Sequence, residues 1–209
     1  MSELQKWILE GEHQQQDFKF RVDDPKKIAR TLVAFANTDG GRLLIGVKDN
    51  GKVTGIDPEE EFHIIEGAAD LYCAPKVEFS TQVWQDDHKL VLEITVPASP
   101  QKPHKAKDEK DKWKVYIRKD DNTLLANKIL LQCWKQEKNK EIPPQEFTDS
   151  EKLFLDTIKN LRRVTLSKLY RTLKLPKNKI DKLLVLFVTW EIVKMEISSE
   201  GTFYSIKEV

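Results

Sequence analysis

The chain has 209 residues, with 35 lysines and arginines against 34 aspartates and glutamates, and this balance excludes a protein that is basic throughout. Hydrophobic residues make up 39% and charged residues 33%, which excludes intrinsic disorder and indicates one or two globular domains. The sequence contains no apolar signal core and no membrane-length apolar window, so we expect a cytoplasmic protein without a membrane partner. Cys73 and Cys133 lie far apart, which favours two buried thiols over a disulfide or a metal pair.

The N-terminal residues alternate between helix and strand patterns. Residues 3–10 predict a short amphipathic helix, and the alternation of apolar and polar residues over 17–22 predicts a half-buried strand. Asp23 or Asp24, followed by Pro25, is a favourable N-cap for a second helix.

A glycine-rich segment follows this second helix. The pair Gly40-Gly41 supplies the positive φ of a sharp turn, so the helix is expected to end just before it. Residues 42–47 form an apolar run too short for a helix, which predicts a buried strand. Asp49-Asn50-Gly51 predicts a tight hairpin turn, after which residues 52–56 return as a strand.

The next eighty residues predict elements that complete a first domain. They are a helix over 58–74, two strands over 76–84 and 89–96, a charged irregular segment over 97–112, a strand over 113–118 and a closing helix over 122–136.

The C-terminal residues have a different pattern. Thr148 and Glu151 form a capping-box signature that opens a helix, and two further helices and a hairpin follow it. Three helices and a hairpin in this order resemble a winged helix-turn-helix. We therefore predict an α+β domain over 1–138, a polar linker over 139–145 and a small winged helix-turn-helix domain over 146–209.

The motifs of the first domain resemble those of the Schlafen/AlbA-type DNA-binding domain family. The resemblance lies in residues 34–41, 44–51 and 53–56, with Asp17-Phe18-Lys19 upstream, where Asp stands in place of the usual Glu. It covers roughly residues 1–135 and implies a mixed sheet-and-helix fold that binds nucleic acid, often beside a winged helix. Some Schlafen proteins cleave RNA with a metal ion, and some bacterial members carry an ATP-binding label.

The resemblance to the nuclease members directs attention to a group of charged residues. Glu12 and Asp17 have the family's five-residue spacing, Asp49 stands near the position of the third acid, and Glu10 lies close by. Carboxylates at these points would hold Mg²⁺ or Mn²⁺, and Lys19 would neutralise charge in the transition state. Each residue also has an ordinary surface or turn role, so the prediction is no catalytic residue and no metal, with this cluster as the alternative.

Two further segments are considered for ligands of the first domain. The turn at Gly40-Gly41 lacks the Lys-Ser/Thr ending of a P-loop and precedes a strand, which favours a structural turn over an ATP site. Residues 102–119 are rich in lysine, which suits phosphate contacts, although a salt-bridged solvated loop is equally compatible with this composition. The nucleic-acid contacts predicted in this domain are Lys19, Lys105, Lys107, Lys114, Tyr116 and Arg118.

The strongest charge bias lies in the predicted helix-turn-helix. Between Arg162 and Lys182, Asp181 is the single acid, and the third helix begins inside this basic stretch. The contacts predicted here are Arg171, Lys177, Asn178, Lys179 and Lys182. We therefore predict a DNA-binding transcriptional regulator without a cofactor, with DNA favoured over RNA and a homodimer left open. The alternatives are a divalent-metal ribonuclease and an ATP-responsive regulatory module.

Overall fold

A computed structural model describes residues 1–137, 143–144 and 146–207. The chain divides into two compact units, the first from Met1 to Leu125 and the second from Ala126 onward. No helix in the described ranges is both long enough and apolar enough to cross a membrane.

The first unit contains three helices and nine strands among its residues. The helices are α1 (Glu3–Glu10), α2 (Pro25–Asn37) and α3 (Pro58–Tyr72). The strands are β1 (Gln16–Lys19), β2 (Gly41–Ile45), β3 (Cys73–Ala74), β4 (Ser80–Asp86), β5 (Lys89–Val96), β6 (Lys105–Lys107), β7 (Trp113–Lys114), β8 (Tyr116–Lys119) and β9 (Asn122–Leu125).

A four-stranded mixed sheet forms the centre of this unit, in the order β1-β2-β5-β4. Strand β1 runs parallel to β2, which pairs Asp17 with Leu43, and the other two pairings are antiparallel. Leu43 and Ile45 join the main core with α2 and α3, whereas Leu44 joins a second cluster that includes Leu4 of α1. The central strand β2 is therefore buried on both faces, as its apolar run predicts.

Two smaller sheets stand beside α2. Strands β3, β6 and β7 form one, and β8 with β9 forms the other, a hairpin in which Arg118 pairs with Thr123. Ala106 of β6 and Tyr116 of β8 are buried in the same core as α2. Half of the basic segment 102–119 thus lies on short strands, so the part predicted to be irregular contains β6.

The predicted hairpin after β2 is formed only in part. The turn is present, because the Gly51 N–H donates to the Lys48 carbonyl at 2.7 Å, with a φ of 78° at Gly51. The returning strand over 52–56 is absent, and a single bridge joins Val47 to Val53. Both edges of β2 are already paired, with β1 and β5, so no edge remains for that strand.

The second unit contains four helices and a hairpin among its described residues. They are α4 (Lys128–Gln136), α5 (Asp149–Leu161), α6 (Leu166–Thr172), α7 (Lys177–Thr189), β10 (Val193–Ser198) and β11 (Gly201–Ile206). A capping box at Thr148 opens α5, as predicted. Val164 forms a bridge with Tyr204 of β11, so the hairpin is joined to the segment before α6. Phe154 and Phe187 stack at the centre of the core, 5.6 Å between ring centroids.

The division between the units differs from the predicted boundary at residue 138. The predicted helix over 122–136 is instead strand β9 followed by α4, which Asn127 caps through a bond from the Leu130 N–H. Ile129 and Cys133 of α4 are buried in the core of the second unit, so this helix belongs there. Of the predicted linker, residues 139–142 and 145 lie outside the described residues.

Candidate nucleic-acid interface

Asp17 lies at the centre of a buried charge network at the start of β1. The residue is only 4% exposed, and Arg118 donates to its Oδ1 at 3.1 Å while Lys19 Nζ lies 2.7 Å from Oδ2. Lys19 also donates to the Phe18 carbonyl, again at 2.7 Å. Two cations therefore compensate the carboxylate of Asp17 inside the protein, and Lys19 is engaged locally instead of being held out for a phosphate.

Glu12 lies beside this network. Its Oε1 accepts from the Phe18 N–H at 2.9 Å, which ties the loop before β1 to the strand. Burial raises the pKa of Glu12 above its ordinary value, and the neighbouring Asp17 carboxylate adds to the increase. The five-residue spacing of these two acids therefore does bring them together.

The third acid of the alternative metal set does not join them. Asp49 is exposed in the turn after β2, and among the described residues no group of three or more His, Cys, Asp and Glu side chains is placed to hold a metal ion. The set Glu12, Asp17 and Asp49 is thus not assembled. Glu10 is exposed and lies 4.0 Å from His13. The physical reason is that Asp49 serves a turn, whereas Asp17 is neutralised by Arg118.

The Gly40-Gly41 turn is packed against its own fold. A Cβ on Gly40 would lie 2.7 Å from the Val96 carbonyl oxygen, and one on Gly41 would lie 2.5 Å from the Phe35 ring. The Gly40 N–H donates to the Phe35 carbonyl at 3.0 Å. These glycines allow close packing between α2 and the sheet, which agrees with the structural interpretation of the motif.

Two of the predicted nucleic-acid contacts are buried. Arg118 is 3% exposed and donates to the Gln16 carbonyl at 3.1 Å as well as to Asp17. Tyr116 is also buried, with the Arg30 guanidinium 5.8 Å from its ring centroid. Neither side chain can contact nucleic acid without leaving this packing, so both predictions are corrected. The sequence pattern of β8 concealed this, because basic and aromatic residues suit a surface as well as a buried ion pair.

The other basic residues of the segment stay at the surface. Lys105 and Lys114 are exposed and Lys107 is half-buried. Lys107 Nζ lies 5.3 Å from the ring centroid of Trp113, which is 44% exposed, and 5.7 Å from that of Tyr72. Lysines and an accessible aromatic ring therefore share one patch, a combination that suits phosphates and bases.

The acids near this patch are held in local contacts. Lys26 Nζ lies 2.9 Å from Asp111 Oδ1, and Arg30 Nη2 lies 3.3 Å from Glu109 Oε1. Asp108 accepts two backbone N–H donors of its own turn, and these lower the pKa of its carboxyl. Sequence reasoning missed Lys26 and Arg30, because they lie on α2 and only the fold brings them to this segment.

In the second unit the predicted contacts surround the start of α7. Arg171, Lys177, Asn178, Lys179 and Lys182 are all exposed. Lys177 Nζ lies 5.4 Å from the Tyr170 ring centroid, and Lys179 donates to the Ser150 hydroxyl at 2.9 Å.

Asp181 does not offset the charge of this surface. It is buried, accepts a hydrogen bond from the Tyr170 hydroxyl, and lies 2.5 Å from Lys128 Nζ. Burial and the Asp181 carboxylate raise the pKa of Tyr170 to about 12, so this phenol stays a donor at neutral pH. The acid thus faces inward, and the exposed side of α7 keeps its positive charge.

The chain thus combines an α+β fold with a lysine-rich surface in each of its two units. The profile of the family described as Schlafen, AlbA_2 matches residues 12–127, more than half of the sequence, and the chain belongs to this family. That range contains Glu12, the charge network of Asp17, Lys19 and Arg118, and the basic segment 102–119. Comparison with curated proteins returned no match.

Two solved structures are similar to the chain at low identity. The DIP2311 protein from Corynebacterium diphtheriae is 16% identical, with a TM-score of 0.43, and the match covers 90% of this chain and 34% of that protein. The chain thus spans about a third of that protein's length. The N-terminal domain of a RecG-related protein from Nitrosomonas europaea is 20% identical, with a TM-score of 0.44, and the match covers 71% and 99% of the two chains.

Proposed function

We propose that this protein binds DNA through its second unit and acts as a transcriptional regulator. The observation that carries the proposal is the exposed basic surface at the start of α7, which follows α6 after a short turn. The order of α5, α6, α7 and a hairpin resembles that of a winged helix-turn-helix, in which the last helix enters the major groove. Membership in the Schlafen, AlbA_2 family supports a nucleic-acid-related role for the whole chain.

The two units would contribute differently to binding. On this proposal Lys177, Asn178 and Lys182, which are exposed on α7, contact base edges and phosphates. The first-unit patch around Lys107 and Trp113 offers phosphate contacts and one accessible ring. On this proposal the second unit selects the site, and the first unit adds affinity that does not depend on sequence.

The test is duplex binding by the full chain at several salt concentrations. Replacing Arg171, Lys177 and Lys182 together by Ala should weaken binding and reduce the salt dependence by about one unit of log–log slope for each phosphate that is no longer neutralised. The matched control replaces three exposed lysines elsewhere in the same unit, Lys152, Lys159 and Lys194, and should change binding less. Equal binding by both triple variants and the parent would contradict the proposal.

The alternatives are measured on the same preparation. Structured RNA incubated with Mg²⁺ or Mn²⁺ tests the ribonuclease alternative, and cleavage that Glu12→Gln abolishes would replace our proposal with an enzyme. A rise in melting temperature with millimolar ATP tests the regulatory-module alternative, because a ligand that binds only the native state stabilises it. A similar rise with millimolar inorganic triphosphate would assign the effect to phosphate charge alone.

A further inference from the structure

A groove lies between α4 and the exposed side of α7 in the second unit. Its volume is about 710 Å³. The two helices are packed together where the buried Cys133 thiol of α4 donates to the Val185 carbonyl of α7 at 3.9 Å, and the groove opens beside that contact. Helix α4 lies at residues 128–136, beyond the range matched by the family profile, and the predicted interface did not include it.

The rim of this groove carries basic and amide side chains. They include Lys128, Gln132 and Lys135 of α4 and Asn178 and Lys182 of α7. Asp181 is the single acid in this lining, and it is buried and bound to Lys128 and Tyr170. The exposed rim therefore carries cations and hydrogen-bonding amides around a broad apolar floor, and it is the rim that is complementary to an anionic chain.

The helical spacing arranges these side chains in two rows. Lys128, Gln132 and Lys135 follow one another at steps of four and three residues, so they share one face of α4. At 1.5 Å per residue, Lys128 and Lys135 are separated by about 10.5 Å along the helix axis. Asn178, Lys182 and Leu186 form the corresponding row on α7. Lys128 is paired with Asp181 and Leu186 is apolar, so the side chains available to the phosphates of a single strand are Gln132, Lys135, Asn178 and Lys182.

We propose that this groove binds one phosphodiester strand of the DNA, with Lys135 and Gln132 of α4 contacting the backbone beside α7. The inference rests on the proposed function, since it requires α7 to lie against DNA. Backbone contacts of this kind fix the orientation of a recognition helix without reading sequence. Helix α4 is thus a part of the interface as well as a part of the core.

The experiment compares Lys135→Ala and Gln132→Ala with Lys159→Ala in the full chain. Lys135 and Lys159 are both exposed, and neither has a carboxylate within 4.0 Å in the described part of the chain, so the charge change is matched. Lys128 is left intact because it is paired with buried Asp181. Unchanged far-ultraviolet circular dichroism and melting temperature would establish that each variant is folded.

For Lys135→Ala we expect a several-fold loss of duplex affinity and a log–log salt slope smaller by about one unit. Gln132→Ala should lower affinity without changing the slope, and Lys159→Ala should change neither.

If Lys135→Ala and Gln132→Ala bind as the parent does while Lys182→Ala weakens binding, the groove is not part of the interface, although the proposed function stands. If Lys182→Ala also binds as the parent does, the proposed function fails with it. If Lys135→Ala binds an acidic peptide less tightly than the parent but binds DNA equally well, the proposal is overturned in favour of a protein ligand.

Discussion

At the scale of single residues, the charge network of Asp17, Arg118 and Lys19 is the feature most sensitive to substitution. Asp17→Asn would leave Arg118 and Lys19 without their carboxylate in a buried site, and removal of one partner of a buried pair costs about 3–5 kcal/mol. We expect a loss of about 3 kcal/mol, measured by urea unfolding at neutral pH. Asp23→Asn is the control, because its pair with Arg21 is exposed and contributes far less. Equal losses would show that the Asp17 network is not a structural pair.

A second residue-scale prediction concerns Glu61 of α3. Its Oε2 accepts from the Val22 N–H at 2.9 Å, and burial raises the pKa of its carboxyl above 4.5. The native state therefore holds this proton more tightly than the unfolded chain, so the associated stability is complete below about pH 4.5 and is lost as the pH rises through the native pKa. Glu61→Gln keeps an acceptor without the charge. It should be at least as stable as the parent at pH 7.

The measurement for Glu61 is the unfolding free energy between pH 4.5 and pH 7. The decline in stability with pH should be smaller in Glu61→Gln, and Glu12 will leave part of it in place because its pKa is also raised. Glu61→Ala provides the contrast: it leaves the Val22 N–H without its acceptor, at a cost of about 1–3 kcal/mol. An unchanged pH profile in Glu61→Gln would show that this carboxyl does not titrate with folding.

At the scale of the element, the turn between α2 and β2 depends on glycine. Gly40 has a φ of +71°, and an added Cβ would lie 2.7 Å from a backbone oxygen that cannot easily move. Gly40→Ala should destabilise the protein by more than about 1 kcal/mol. Gly67 in α3 is the control, because nothing lies within 4 Å of its added Cβ, and Gly67→Ala should stabilise by up to about 1 kcal/mol. Thermal melts of both variants measure these changes in stability. A change in the same direction for Gly40→Ala and Gly67→Ala would contradict this account.

Helix α4 gives the second element-scale prediction. A fragment that begins at Ala126 retains Ile129 and Cys133, whereas one that begins at residue 146 leaves the apolar side of α7 uncovered. We expect the longer fragment to unfold cooperatively and the shorter one to lose stability or bind hydrophobic dyes. Denaturant unfolding and amide NMR dispersion would distinguish them. Equal folding of both fragments would restore the predicted boundary at residue 138.

At the scale of the whole molecule, the positive charge is concentrated rather than general. The formal net charge is +1, yet lysine is concentrated around β6–β7 in the first unit and α7 in the second. Several acids near these surfaces form ion pairs within their own unit. They are Asp111, Glu109 and Asp181. Folding therefore creates local basic surfaces that the total charge does not reveal, and the proposed binding to DNA should weaken steeply with salt.

Local sequence was sufficient for much of this protein. Caps at Asp24 and Thr148 act through atoms within three residues, and the buried run of β2 follows from its composition. The α+β class and the family were both predictable for the same reason, since periodicity and short motifs are local properties. The exposed start of α7 was also predicted, because charge without apolar residues favours solvent.

Tertiary structure decided the features that depend on distant partners. Arg118 is buried because Asp17, 101 residues away in the sequence, needs a cation, and Asp49 stays apart because it completes a turn. The strand over 52–56 failed to form because β1 and β5 occupy both edges of β2. Helix α4 joined the second unit because Ile129 and Cys133 are buried in the core of that unit, which no local pattern encodes. Secondary structure is thus largely determined by neighbours in sequence, whereas burial, pairing and the groove beside α7 depend on which surfaces meet.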